Sequence, residues 1–149
     1  MALIPEIDEQ ACRDNARRVL KSYRRLARMA GRPLADLKSP SIDGMPKAKS
    51  FENGVEASLV AKLDKVFDAR DRMDIIDNAL ALCSFQSRWV LYFCYCTPEE
   101  LALWQVAERL GVENAGVVKY QKKIALMEFA EAYPNNELMV FQNFTQHLL

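Results

Sequence analysis

Ala107, Gly111 and Val117 space residues 103–122 as two short helices meeting at a glycine, and few folds satisfy that spacing. The small side chain of Ala107 lets a second helix cross close to the first. Gly111, four residues on, can take the positive-φ turn that other residues resist. Val106, Leu110, Val112 and Tyr120 supply apolar groups at positions expected to face inward. This is helix-turn-helix spacing, in which the second helix lies in a DNA major groove with its first turns against base edges. Two ordinary core helices joined by a glycine turn share the pattern, so spacing alone does not separate DNA binding from packing.

The second helix is expected over about 114–133, ended by Pro134-Asn135-Asn136, with Glu113 in the cap position. Val117, Tyr120, Ile124 and Met127 form an i, i+3, i+7, i+10 stripe expected to be buried. The opposite face then shows Asn114, Ala115, Val118, Lys119, Lys122 and Lys123, with Gln121 beside it. Asn and Gln can pair bidentately with adenine, Lys can reach guanine or phosphate, and Val118 can meet a thymine methyl. Asn114, Ala115, Val118, Lys119 and Lys122 are therefore the expected base-reading residues, and Lys123 a backbone contact.

Upstream, Thr97-Pro98-Glu99-Glu100 reads as a capping box with proline in the first turn, starting a helix that runs to Leu110. Ser84 is expected to cap a nearly all-apolar helix over about 85–96, taken as the centre of the core. Residues 55–82 read as one long helix or two. Leu59, Leu63, Val66, Met73 and Leu80 form a seam that suits either a second copy or docking on the same chain, with Arg70 and Asp77 interrupting it.

Charge is unevenly spread although the net formal charge is zero. Residues 1–50 hold 11 Lys/Arg against 6 Asp/Glu, and residues 51–100 hold 5 against 9. A helix over about 7–30 carries an apolar stripe of Ala16, Leu20, Tyr23, Ala27 and Ala30, with Gly31 as its cap. Around the stripe stand Arg13, Arg17, Arg18, Lys21, Arg24, Arg25, Arg28 and Arg32, with Asp14 the sole acid between residues 11 and 32. Such a run repels itself unless a polyanion neutralises it. Arg17, Arg18, Lys21, Arg24, Arg25 and Arg28 are accordingly expected on DNA phosphates, although an acidic protein surface would also serve. The expected organisation is a basic helical arm (1–32), a Pro/Gly-rich linker or ordered loop (33–54), a helical body (55–133) with the helix-turn-helix at 98–133, and an apolar tail (134–149) able to dock on the chain itself or a partner copy.

Several function classes lack support. No apolar run approaches the roughly 18 residues of a membrane span, and no signal peptide is read at the start, so a cytoplasmic protein is expected. Cys12, Cys83, Cys94 and Cys96 form no C-x-x-C pair, and His147 is the one histidine, so no metal site and no cofactor are expected. Phosphate-loop and nucleophile-elbow motifs are missing. Asp64, Asp68, Asp71, Asp74 and Asp77 recur at helical spacing but alternate with Lys62, Lys65, Arg70 and Arg72, which favours a salt-bridged face over Mg²⁺ chemistry. No enzyme activity is expected.

Residues 79–132 resemble region 4 of bacterial sigma factors in the order of a Leu-rich helix, an aromatic helix and the A-x-x-x-G-x-x-x-x-x-V unit. Over about 10–133 the chain resembles the ArpU family of phage transcriptional regulators from Gram-positive hosts. The blocks that carry this are Tyr23-Arg24-Arg25-Leu26 with Met29-Ala30-Gly31-Arg32, Lys38-Ser39-Pro40, Met45-Pro46-Lys47, Asn53 with Glu56, Val106 to Gly111, Val117-Val118-Lys119 and Phe129 to Ala132. The resemblance implies an all-α activator of late phage genes for packaging and lysis. It would pair a basic N-terminal helix with a sigma-like helix-turn-helix bundle that binds double-stranded DNA at a late promoter. Host RNA polymerase and a second copy are the other expected partners, and the alternative function is a protein-interaction module with a sigma-like fold that acts through RNA polymerase or another regulator.

Overall fold

A computed structural model describes residues 6–31 and 57–142, with side chains in the 57–82 helix given from residue 63 onward. The fold is all-α, as expected: α1 (Glu9–Lys21), α2 (Tyr23–Ala30), α3 (Ala57–Leu82), α4 (Phe85–Leu91) continued by a π-helical turn (Tyr92–Cys96), α5 (Leu103–Leu110), α6 (Ala115–Ala132) and a 3-10 turn (Pro134–Asn136). The side chain of Leu59 in the proposed seam, the 33–54 linker, Arg32 and the tail beyond 142 lie outside what is described.

The N-terminal stripe packs inward: Ala16, Leu20, Tyr23, Ala27 and Ala30 are buried, together with Cys12 and Leu26. They share one apolar cluster with Met73, Ile76 and Leu80 of α3, Val90 and Leu91 of α4, and Ala125, Leu126, Phe129 and Ala130 of α6. The basic helix thus lends its apolar side to a common core. Its expected continuity over 7–30 is interrupted at Ser22, whose hydroxyl bonds back to the Val19 carbonyl at 2.5 Å and competes with the helical ladder. Asp8 caps α1 by accepting from the Ala11 N–H at 3.1 Å, and Gly31 closes α2 at φ 61°.

One continuous α3 lies along α2. The two residues that interrupt its seam make the polar contacts: the Tyr23 hydroxyl donates to Asp77 at 2.9 Å, and Arg70 Nε donates to the Ala30 carbonyl at 3.3 Å. Arg70 thereby satisfies a carbonyl at the end of α2 that has no partner within its own helix.

Two expectations about the middle of the chain are corrected. The 85–96 segment is not buried all round. Val90, Leu91, Tyr95 and Cys96 are interior, but Phe85 is 73% exposed and Trp89, Tyr92 and Phe93 are half-buried. The four rings cover one another instead, with successive centroids 6.2, 5.6 and 5.2 Å apart from Phe85 to Phe93. Nor does a helix start at Pro98. The chain bends over 97–99 and α5 begins at Leu103, where the Gln105 side chain accepts from the Ala102 N–H at 2.8 Å. Thr97 is occupied elsewhere: its hydroxyl donates to the Glu99 carbonyl at 2.8 Å, and its own carbonyl accepts from Arg24 Nε at 2.6 Å.

The apolar tail, where described, docks on the chain itself. Asn135 and Asn136 turn it at positive φ, a conformation Asn tolerates. Leu138 is buried, and the Asp8 N–H reaches the Val140 carbonyl at 2.9 Å beside an isolated Ile7–Phe141 bridge. Leu138→Ala should lower the unfolding free energy in urea titrations by about 2–5 kcal/mol. A change within about 0.5 kcal/mol, as at a surface site, would show that the tail does not pack there.

Candidate nucleic-acid interface

The α5–α6 pair is held by its turn and by a second, smaller apolar cluster. At Gly111 (φ 70°) the Val112 N–H bonds to the Ala107 carbonyl at 3.0 Å and the Gly111 N–H to the Glu108 carbonyl at 3.2 Å. These bonds define a Schellman closure, which requires the left-handed residue that glycine adopts without penalty. Val106, Ala107 and Val118 are buried against one another, with Phe93, Leu101, Leu103, Leu110 and Val112 packed around them. Asn114, not Glu113, is the cap of α6, its Oδ1 accepting from the Val117 N–H at 3.1 Å.

The buried side of α6 is Val118, Ala125, Leu126, Phe129 and Ala130, one residue out of phase with the expected stripe. Tyr120 and Ile124, expected inside, are 68% and 44% exposed. Apolar residues occupy adjacent positions along this helix, so its period does not fix its rotation. Packing against α1 and α4 does. Val118 is fully buried and cannot meet a thymine methyl, which removes it from the base-reading set.

Of the remaining expected base readers, Asn114 and Lys119 are exposed, Ala115 is half-buried, and Lys122 is half-buried with its ammonium 5.1 Å from the centre of the Tyr95 ring. Lys119, Tyr120, Lys123 and Ile124 are exposed, so that the outer face includes both Tyr120 and Ile124 of the expected inner stripe. The neighbouring Val117 and Gln121 are half-buried.

α1 lies beside this helix and the two together form a basic groove of about 340 Å³. Arg13 and Arg17 line it from α1, and Lys119, Lys122 and Lys123 from α6, over a floor that includes Gln10 and Leu126. Arg13 bonds to the Gln10 side chain and sits 3.6 Å from Glu9, and Arg17 pairs with Asp14 at 2.8 Å. The three lysines have no carboxylate partner among the described residues.

Arg18, Lys21, Arg25 and Arg28 are exposed, as phosphate contact demands. Arg24 is not free for that role. Its guanidinium binds the Thr97 and Cys94 carbonyls, at 2.6 and 3.4 Å, and closes the end of the π-helical turn. Unsatisfied carbonyls at a helix end attract a cation, and that local demand takes Arg24 out of the phosphate set.

A carboxylate adds to the packing that holds α6. Glu128 accepts from the Ser84 N–H at 2.8 Å, from the Ser84 hydroxyl at 3.2 Å and from the Ser87 hydroxyl, so that α6 binds the first turn of α4. Across the same junction Arg88 covers the Leu80, Ala81 and Cys83 carbonyls at the end of α3. Burial alone would raise the Glu128 carboxyl, but the bonds from Ser87 and Ser84 outweigh it and hold it below the ordinary carboxylate range. Burial also pushes the Cys83 thiol up to about 12 and raises Cys94 and Cys96, which leaves them protonated at neutral pH. Among the described residues no group of three or more His, Cys, Asp or Glu gathers as a metal would need, and no helix is long and apolar enough to cross a membrane. Asp64, Asp68, Asp71 and Asp74 lie on an exposed face, with Asp68 paired to Arg72 at 3.1 Å.

Fold and groove define an all-α protein with a two-helix unit closed by a glycine turn and a cationic cleft along its outer helix. A protein of Enterococcus hirae named "Putative autolysin regulatory protein ArpU" is 37% identical over 142 residues, which is 95% of this chain and all of that one. A protein of the same name from Streptococcus phage O1205 is 28% identical over 140 residues, 93% of this chain and 98% of the other. The chain belongs to the ArpU family, regulatory proteins by name. No protein-family model and no solved structure matches it.

A lowered carboxyl pKa stabilises the fold above the ordinary carboxylate value, and that stability is lost as pH falls through the folded-state value. Glu128→Gln should therefore cost about 1 kcal/mol at pH 7, after allowing for solvent screening, and flatten the acid side of the stability profile. Identical profiles for parent and variant would show that this contact does not hold α6.

Proposed function

We propose that this chain is a sequence-specific DNA-binding transcription regulator that acts without catalysis in the bacterial cytoplasm, as an activator of late phage genes for packaging and lysis. The observation that carries the reading is the α1–α6 groove, where Arg13, Arg17, Lys119, Lys122 and Lys123 converge and the lysines lack acidic partners among the described residues. Arg13 and Arg17 already have carboxylate partners, so the three lysines are the unneutralised charge; such an excess favours a polyanion, and duplex DNA supplies a regular row of phosphates. The regulatory names of both relatives, and the phage source of one, support a gene-control role in a phage setting.

In this reading the first turns of α6 enter the major groove in the manner of a sigma-like helix-turn-helix. Lys119 and the edge of Asn114 face the bases, while Lys122, Lys123 and Arg17 hold the flanking phosphates; Arg13, buried and bound to Gln10 and Glu9, adds charge to the groove wall without reaching a phosphate. A second reading, a module that grips RNA polymerase without binding DNA itself, is favoured by the exposure of Leu82, Phe85 and Trp104 at 74%, 73% and 59%.

Binding titrations on duplexes selected from the phage genome that carries the gene separate the two. Lys119→Ala should relax base preference by about 1–3 kcal/mol. Lys123→Ala should weaken all duplexes alike and reduce the slope of log affinity against log salt by about 0.9. A parent protein that binds no duplex yet retains polymerase in a pull-down would overturn the DNA reading and support the second.

A further inference from the structure

A second cationic groove, of about 420 Å³, lies farther along the N-terminal helices and is lined by Lys21, Ser22, Arg24, Arg25 and Arg28. Its lining residues follow those of the first groove in sequence. At Ser22, between α1 and α2, the backbone stays in the right-handed helical region (φ −80°, ψ −11°). At 3.6 residues per turn, Arg13, Arg17, Lys21, Arg25 and Arg28 fall within about a third of the helical circumference. The buried residues Cys12, Ala16, Leu20, Tyr23, Ala27 and Ala30 occupy the adjoining sector. At 1.5 Å per residue, the helical path from Arg13 to Arg28 is about 22 Å long, the rise of about six to seven base pairs of B-form duplex at about 3.4 Å each. One acid enters it, Asp14, and that carboxylate is already engaged by Arg17 and Gln10. Lys21, Arg25 and Arg28 are exposed and have no ion pair among the described residues.

We infer that the outer side of α1 and α2 is a second DNA-binding surface, a cationic rail that carries the phosphate backbone beyond the bases contacted by α6. The row starts in the groove that α6 itself lines, so a strand held by Lys119 and Lys123 is led along Arg17 to Lys21, Arg25 and Arg28. The ligand chemistry is a regular polyphosphate backbone, read without base specificity. Arg24 contributes by position rather than by contact, since its guanidinium is spent on the Thr97 and Cys94 carbonyls. The rail rests on the DNA reading but makes a separate demand on the protein.

The test compares the full chain with a rail variant (Lys21→Ala/Arg25→Ala/Arg28→Ala) and a groove variant (Lys119→Ala/Lys123→Ala), each titrated with a 30-base-pair duplex over a range of salt. The substituted residues are exposed, and circular dichroism checks that each variant remains folded. The rail variant is expected to keep the parent's base preference while its salt slope falls by about 2 to 3, since each lost phosphate contact removes about 0.9. A rail variant with the parent's affinity and slope, beside a weakened groove variant, overturns the rail and leaves the DNA reading standing. If the parent binds no duplex, the DNA reading and the rail fall together. If polyglutamate of equal charge displaces the duplex as well as unlabelled DNA does, and only through the rail residues, the surface is a protein-docking site and the inference is wrong.

Discussion

Phe129, with Ala125, Leu126 and Ala130, turns one side of α6 into the core against α1 and α4, and the rotation this imposes sets what the molecule offers to a ligand. A residue's rotation would bury Lys119 or expose Val118. With the observed packing, Lys119 and Lys123 stand outside, Lys122 lies along the Tyr95 ring, and α1 is close enough to add Arg13 and Arg17 to the same cleft. The basic groove is thus a consequence of apolar packing. Charge decorates the surface, but the buried Phe129 decides where the charges meet.

Ionic groups at helix ends then hold that arrangement. Arg70 serves the end of α2, Arg88 the end of α3, Arg24 the end of the π-helical turn, and Glu128 the start of α4. Each satisfies backbone groups that have no partner within their own helix. Arg70, Arg24 and Glu128 also tie together segments distant in the chain, and Arg88 joins the neighbouring α3 and α4, so that short helices which would be marginal alone keep a fixed relation. The aromatic row from Phe85 to Phe93 is a different kind of element. Its rings shield one another while leaving an apolar ridge at the surface, away from the cationic face in chemistry if not in purpose.

Much of the fold was legible from local rules. The N-terminal stripe could be read because arginines surround it and leave a single apolar side. Gly31 and Gly111 could be read because each follows a periodic run at the position where a left-handed residue ends a helix. The failures have a common cause. Val117 and Val118 are adjacent, as are Ala125, Leu126 and Met127, so two stripes fit α6 and only tertiary packing chooses between them. Thr97-Pro98 carries the local signs of a helix start, but Arg24, 73 residues away, claims the Thr97 carbonyl. Arg24 itself was indistinguishable from its neighbours in a run of basic residues. Of the candidate site, the lysines of α6 and Arg17 were legible as charges, whereas the cleft that unites them depends on a helix contact between distant segments.

For this chain to bind duplex DNA as proposed, α1 and α6 must act as one surface. Backbone amide shifts of the labelled protein, followed by NMR as a duplex is added, test that most directly. Joint movement of Arg13, Arg17, Lys119, Tyr120 and Lys123, with α3 unmoved, is the expected result. Shifts confined to the aromatic ridge or to the acidic face of α3, with both walls of the cleft unchanged, would contradict it.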